Sequence, residues 1–454
     1  MRRQVIYHLK NRLLAIHPRT RKTQLNALWG ILVKGGSVLI SLLLVPLTID
    51  YLTPETYGTW LTISSIVTML ALLDIGIGNG LRNKFSEAVS QGNIPLARSY
   101  VSTAYVLFGG LQLLLLLLFF GVSGWLPWQR MFNTTLPADQ LLRVGQLTVA
   151  AIALKLVLDI LIYVLYALQE SGKAGLIALV SNALVLLGTF ALTRLTDRSL
   201  VALAAVSVLS PVVVVGLCSV GLYRTQLRAY RPSFRLVELA HARKLLSLGY
   251  QFFIIQLAGI ILFYTDNLII AQLFGPAEVT TYNIAFRYFN VVNTLFAITT
   301  APYWSAFTEA YVKGDRDWMQ QSYRQLVRGW MLVALVVVVM ISLSDVFYRL
   351  WVGDRVTVPL SLSLAVGFFV VINCWSSAMA LIINGVGKIR LQLIVAMLSA
   401  TLNIPLAIFL GRALRMGSAG VILATALSLL LGAVVGGMQA RRLVQGRERG
   451  IWSR

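Results

Sequence analysis

Six ionisable residues stand in stretches otherwise apolar enough to lie in lipid: Lys34, Asp74, Lys155, Asp159, Asp266 and Arg287. A charge at the centre of a bilayer costs about 2.5–3.5 kcal/mol on insertion scales, so such residues face a polar cavity or one another. Lys155 and Asp159 are four residues apart, which on a helix stacks them one turn apart on one face. They either neutralise each other and only make insertion tolerable, or they take part in transport. Asp266 lies ten residues before Pro276, and Arg287 ten after Ala277, so both sit about 15 Å from the turn between two consecutive antiparallel helices. Equal depth predicts an ion pair between them, provided their faces agree. Lys34 has no partner nearby in sequence and either lines a cavity or snorkels to the closer end of its helix. Asp74 stands at a span end and is the weaker candidate. Three cations against few carboxylates predict a cavity for an anionic ligand. Lys34, Lys155 and Arg287 are its expected substrate contacts, and Asp159, Asp266 and Asp74 serve charge pairing or coupling to an ion.

The segments Tyr282-Asn283, Arg287-Tyr288-Phe289-Asn290 and Pro302-Tyr303-Trp304-Ser305 supply aromatic rings that stack on sugar faces and keep a polar tip. For Trp304 and Trp351 the expected role is an interfacial aromatic belt. Other chemistry has little to work with. Cys218 and Cys374 fall inside apolar spans without CxxC spacing, and His8, His17 and His241 lie in hydrophilic segments. No metal site, catalytic set or bound cofactor is expected, and the only ion implied is a transported H+ or Na+.

The elements that must hold these residues follow from composition. The chain has 454 residues, 57% hydrophobic and only 12% charged, roughly half the charged fraction of soluble domains. Apolar stretches of 18 or more residues recur throughout, each long enough to cross about 30 Å of hydrocarbon as a helix. The pattern predicts an all-α integral membrane protein of about twelve transmembrane helices, near 25–50, 57–77, 100–122, 143–167, 174–193, 200–223, 249–273, 278–303, 328–350, 358–384, 388–410 and 416–440. Turn residues punctuate it at Pro54, Gly92-Asn93, Pro127, Gly172, Gly275-Pro276, Gly353 and Gly417.

The net charge of +22 does not imply nucleic acid. Of the 39 Lys+Arg, 28 fall on the side of the termini and even-numbered connections, and 8 on the other. That asymmetry predicts both termini in the cytoplasm of a multi-pass protein. The basic segment 1–24 lacks the core and cleavage site of a signal peptide. The chain also reads as duplicated. The turn Leu52-Thr53-Pro54-Glu55-Thr56-Tyr57-Gly58 after the first span has a counterpart after the seventh, from Phe274-Gly275-Pro276 to Thr281-Tyr282. The expected organisation is a cytoplasmic N-terminal segment 1–24, a six-helix bundle 25–223, a cytoplasmic linker 224–248, a second six-helix bundle 249–440 and a cytoplasmic tail 441–454. Six spans per half imply parallel repeats about an axis along the membrane normal.

With these blocks the chain resembles the polysaccharide-transport branch of the MOP exporter superfamily, which includes O-antigen flippases. Pro46 through Tyr57-Gly58 to Asp74-Ile75-Gly76-Ile77-Gly78 forms the first block. Asp266-Asn267-Leu268-Ile269-Ile270, Phe274-Gly275, Tyr282-Asn283-Ile284-Ala285 and Arg287 form the second. The resemblance implies two MATE-like six-helix bundles around a central cavity that opens alternately inwards and outwards. It also implies translocation of an undecaprenyl-diphosphate-linked oligosaccharide across a bacterial cytoplasmic membrane. Implied partners are the lipid-linked oligosaccharide, membrane lipids and the glycan polymerase or chain-length machinery. A multidrug or cation antiporter of the same superfamily is the alternative, but its substrates call for a carboxylate-lined cavity. A polymerase or glycosyltransferase is a further one. Its chemistry needs paired carboxylates at a water interface, and the longest external connection, 123–142, holds only Arg130 and Asp139.

Overall fold

A computed structural model describes residues 18–72, 77–168, 170–238, 260, 262, 264–300, 303–447 and 450–453. The secondary structure there is helical. Asp74, the three histidines and most of the expected seventh span lie outside the described residues.

The first helices are α1 (Pro18–Tyr51), α2 (Pro54–Leu72), α3 (Ile77–Ser90), α4 (Ile94–Ser123) and the short α5 (Trp128–Phe132). They are followed by α6 (Ala138–Leu158), α7 (Ile160–Ala167), α8 (Ser171–Leu195) and α9 (Leu200–Arg224). The later helices are α10 (Asp266–Phe274), α11 (Pro276–Thr300), α12 (Tyr303–Lys313), α13 (Arg316–Ser342) and α14 (Ser344–Val352). Last come α15 (Leu360–Val386), α16 (Arg390–Ile408) and α17 (Gly417–Gln445). Among the described residues nine spans are long and apolar enough to cross a membrane, α6 and α7 together forming one of them. Outward-facing leucines such as Leu117, Leu187, Leu217 and Leu335 form the belt that lipid must cover. This is a multi-pass integral membrane protein.

The turns fall where the punctuation puts them. Gly275 takes φ +91°, a left-handed backbone that admits a glycine, and hands the chain to Pro276 at the start of α11. Asn93 caps α4 by accepting from the Leu96 amide at 3.0 Å. Pro46 and Pro211 stay inside helices, and Pro405 precedes a π-helical turn at Phe409–Ala413.

Two segments read as loops are helical. Residues 77–90 form α3, which buries Leu81, Phe85 and Ala88 against α4 and α7; their i, i+4, i+7 spacing is one helix face. Residues 303–327 hold α12 and the start of α13, which Asp315 caps by accepting from the Trp318 amide at 3.0 Å. The expected span at 328–350 therefore begins a dozen residues earlier, and α13 gives way to α14 at Leu343.

Helices α1 to α9 pack mainly among themselves, as do α10 to α17. The first group has its own core around Phe85, Phe108, Ile160 and Val164. The larger core joins the two groups, running from Tyr57 and Trp60 of α2 through Ile284 and Phe289 of α11 to Phe369 of α15. Below, the end of the molecule bearing Pro54 and Pro276 is the proline-turn end, and the opposite one is the basic end.

Candidate functional site

The seam between the two helix groups is built on the repeated turn. The Thr280 hydroxyl of α11 donates to the Pro54 carbonyl at 2.6 Å. The counterpart of Thr280 is Gly58, four residues after Pro54 as Thr280 is four after Pro276, and it lies against the Pro276 carbonyl. A Cβ on Gly58 would come within 1.7 Å of that oxygen. Each copy of the motif thus rests on the proline carbonyl of the other. Gly58→Val should force α2 and α11 apart and cost about 1–3 kcal/mol through overpacking. Thermal unfolding of the purified protein would measure it, with Thr280→Ala as the milder variant.

Further polar contacts bind the seam. The Asn133 side chain donates to the Ala271 carbonyl at 3.0 Å, and Gln272 donates to that of Arg130 at 2.9 Å. The Trp351 indole donates to the Leu42 carbonyl at 2.9 Å, and Arg355 forms an ion pair with Asp50. Trp351 is therefore a seam residue rather than part of an interfacial belt. Deepest are Asn267 to Ser65 at 2.6 Å and Arg287 to the Ser41 carbonyl at 3.1 Å. Ser41 and Arg287 are ten and eleven residues from the proline-turn ends of their helices, a depth of about 15 Å. All of these contacts lie between that end and mid-helix.

Arg287 is the floor of this closed half. Lys34 is seven residues before Ser41 on α1, two turns away and within about 20° of the same face. Lys34 is exposed and, among the described residues, has no hydrogen-bond or ion-pair partner. The two cations thus border one stretch of the seam, spaced along it towards the basic end.

The expected Asp266–Arg287 pair does not form. Arg287 is five residues beyond Tyr282, about 140° around α11, so the two point to opposite sides of that helix. Tyr282 faces inwards and donates to Asp266 at 3.0 Å, while Arg287 crosses to α1. Similar spacing from the turn fixed neither helical phase nor register: Asp266 lies level with Tyr282, more than a turn short of Arg287. Tyr282 is correspondingly a buried partner of Asp266, not a cavity-lining ring.

Asp266 sits in a closed polar network. It is 4% exposed and accepts from Thr425 of α17 at 3.2 Å; Thr425 in turn accepts from the Asn403 side chain of α16 at 3.0 Å. The Asn403 Oδ1 atom is buried and has no hydrogen-bond partner among the described residues. Sequence reading missed Asn403 and Thr425. The signal available for Asn403 was a carboxamide deep inside an apolar span. One face of the network leads to the seam, since Asn283 donates to Asn267, which donates to Ser65.

Lys155 and Asp159 do pair, at 2.5 Å, and are partly exposed. The helix is locally interrupted there: α6 ends at Leu158 and α7 starts at Ile160, while the Asp159 amide still bonds back to the Lys155 carbonyl. Their described contacts keep them within the first helix group, apart from the Lys34–Arg287 stretch. No cluster of three or more His, Cys, Asp or Glu residues that could hold a metal occurs among the described residues.

Residues 25–307 match the model of the polysaccharide biosynthesis protein family. The chain belongs to that family. A relative from Salmonella typhi, named "Putative O-antigen transporter", is 21% identical over 360 residues, 78% of this chain and 81% of the relative. The solved inward-facing conformation of a multidrug resistance MATE family transporter of the MOP superfamily is similar with TM-score 0.74 at 16% identity, over 90% of this chain and 95% of that one. An outward-facing conformation of such a transporter gives 0.64 at 14% identity, over 93% and 96%. This member of the polysaccharide biosynthesis protein family thus has a MATE-like fold.

Proposed function

We propose that the chain is a flippase that moves an undecaprenyl-diphosphate-linked oligosaccharide, an O-antigen or exopolysaccharide repeat unit, from the cytoplasmic to the external leaflet by alternating access. The observation that carries this reading is the pair of cations, Lys34 and Arg287, along a seam bound at its proline-turn end. A diphosphate needs cations, and the aqueous side of such a seam is where a charged headgroup can travel while its polyprenyl tail stays in lipid. The family match and the Salmonella relative's name support the substrate class.

The proposed architecture is twelve spans in two six-helix bundles. To the nine apolar spans it adds α2 and α11, whose polar faces line the seam, and the segment ending in α10. The basic end then faces the cytoplasm with both termini, in a bacterial cytoplasmic membrane. In that orientation the seam is bound externally, and Lys34 stands on the cytoplasmic approach to Arg287. Transport requires the Pro54–Thr280 and Gly58–Pro276 contacts to part and the cytoplasmic halves of α1 and α11 to close, carrying the diphosphate past Arg287. Lys155, held by Asp159, is a secondary contact in this scheme. The lipid-linked oligosaccharide is the substrate, and a glycan polymerase or chain-length complex is the natural recipient.

Asp266 is the proposed coupling residue. Carboxylate, hydroxyl and carboxamide oxygens suit a hard cation such as Na+, and the orphan Asn403 Oδ1 is an unused donor of that kind; protonation of Asp266 is the other way to couple. Because Asp266 is buried off the seam, it cannot serve as the counter-charge of a cationic drug, which disfavours a multidrug antiporter. Depletion of the protein in its host should abolish surface polysaccharide while lipid-linked oligosaccharide accumulates inside. Normal surface polysaccharide after depletion would refute the function.

A further inference from the structure

Outside the seam, two recesses on the surface of the second helix group join end to end. A groove of about 400 Å³ runs between α11 and α13, walled by Leu295, Phe296, Leu332 and Val336. At the basic end it reaches Gln325, which accepts a hydrogen bond from the Tyr303 hydroxyl at 3.0 Å. Gln325 also lines a second, polar recess of about 490 Å³ with Arg324, Arg328, Asp317 and two further glutamines. Arg324 and Arg328 are one turn apart and exposed. Among the described residues neither has an ion-pair partner, Asp317 included.

We propose that this composite recess binds one anionic glycerophospholipid of the cytoplasmic leaflet, its phosphodiester on Arg324 and Arg328 and one acyl chain in the α11–α13 groove. Charge and length select that occupant. Two arginines and one aspartate give the polar recess a net charge of +1, matching a single phosphodiester, and the glutamines suit the hydroxyls of a glycerol headgroup. A polyprenyl diphosphate would bring a larger charge than the recess balances. From Gln325 to Val336 is eleven residues, about 16 Å of groove. That is close to half of a hydrocarbon core of about 30 Å, the reach of one leaflet's acyl chain and too short for a polyprenyl chain. The groove opens onto the exposed Leu295, Leu332 and Val336, where such a chain can enter sideways from the bilayer. The inference rests on the proposed orientation but not on the transported substrate, and a binding measurement tests it without any flipping assay.

The test uses the full chain purified in detergent, with bound lipid counted by native mass spectrometry during titration with phosphatidylglycerol, phosphatidylcholine or polyprenyl phosphate. Phosphatidylglycerol should be retained roughly tenfold better than phosphatidylcholine, and Arg324→Gln/Arg328→Gln should erase that preference. Gly329→Leu should weaken retention of phosphatidylglycerol by filling the groove. A Cβ at Gly329 meets only Phe296, at 3.9 Å, so the backbone need not move; Val336→Trp fills the groove from its other end should the first variant fold poorly. Equal retention of the two phospholipids overturns the proposal, as does an arginine variant that keeps the preference. Groove variants that bind phosphatidylglycerol normally would leave only a charged patch, and the acyl site would be wrong. Displacement of phosphatidylglycerol by lower concentrations of polyprenyl phosphate would assign the site to the substrate's lipid instead.

Discussion

Cells carrying Lys34→Gln/Arg287→Gln as the sole copy of this protein should lose surface polysaccharide while its membrane levels stay at wild type. In the proposed scheme each substitution removes a charge-assisted contact to the diphosphate, about 1.5–3 kcal/mol, or a factor of roughly 10–150 in the rate-determining complex. Lys34 gives the cleaner single variant, because it is exposed and holds nothing else in place. Lys34→Arg should keep much of the activity, since point-charge attraction does not depend on one donor geometry, whereas Arg287→Lys should do worse, because its guanidinium also reaches the Ser41 carbonyl. Ser41→Ala controls for that role: it leaves the carbonyl in place, removing only the hydroxyl 3.4 Å from Arg287, and should transport normally. Neutral single and double variants that display normal surface polysaccharide at low expression would make these charges structural and the anionic-cavity mechanism wrong.

The sequence carried depth better than direction. Hydropathy and turn residues located most of the spans, and Pro54 and Pro276 marked the repeat whose copies meet at the seam. The i, i+4 spacing of Lys155 and Asp159 was enough to foresee their ion pair, because both lie on one helical stretch and no tertiary information is needed. Asp266 and Arg287 show where this stops. Their distances from the turn were alike in sequence, but their partners are set by the phase of α11 against two different neighbours, α10 on one side and α1 on the other. Thr425 and Asn403 were passed over for a related reason. Each is a modest polar residue in an apolar helix, and only the packing of α17 against α10, and of α16 against α17, links it to a carboxylate. Helix α3 was missed because its amphipathic pattern lacks the sustained hydropathy of a span, although Leu81, Phe85 and Ala88 already shared a face.

Under the proposed coupling role, Asp266→Asn should make transport independent of an ion gradient. Asp266 receives two hydroxyl donors, from Tyr282 at 3.0 Å and Thr425 at 3.2 Å, in a site nearly closed to solvent. The carboxamide keeps the shape but abolishes the charge that a Na+ or proton would balance. In proteoliposomes, transport by the wild type should follow an imposed Na+ or proton gradient, and Asp266→Asn should lose that dependence together with most of its rate. The choice between ions is read from thermal unfolding: NaCl in place of KCl should raise the midpoint of the wild type if Na+ is bound, by linkage of binding to folding, and leave Asp266→Asn unmoved. Thr425→Ala removes one hydroxyl and deprives the Asn403 side chain of its acceptor, so it should weaken the ion response without removing it. A purely structural network behaves differently. There, Asp266→Asn lowers the amount of folded protein, yet each remaining molecule transports at the normal rate with its ion dependence intact. Normal specific activity with unchanged gradient dependence would remove Asp266 from the transport cycle, and the coupling ion would have to act elsewhere.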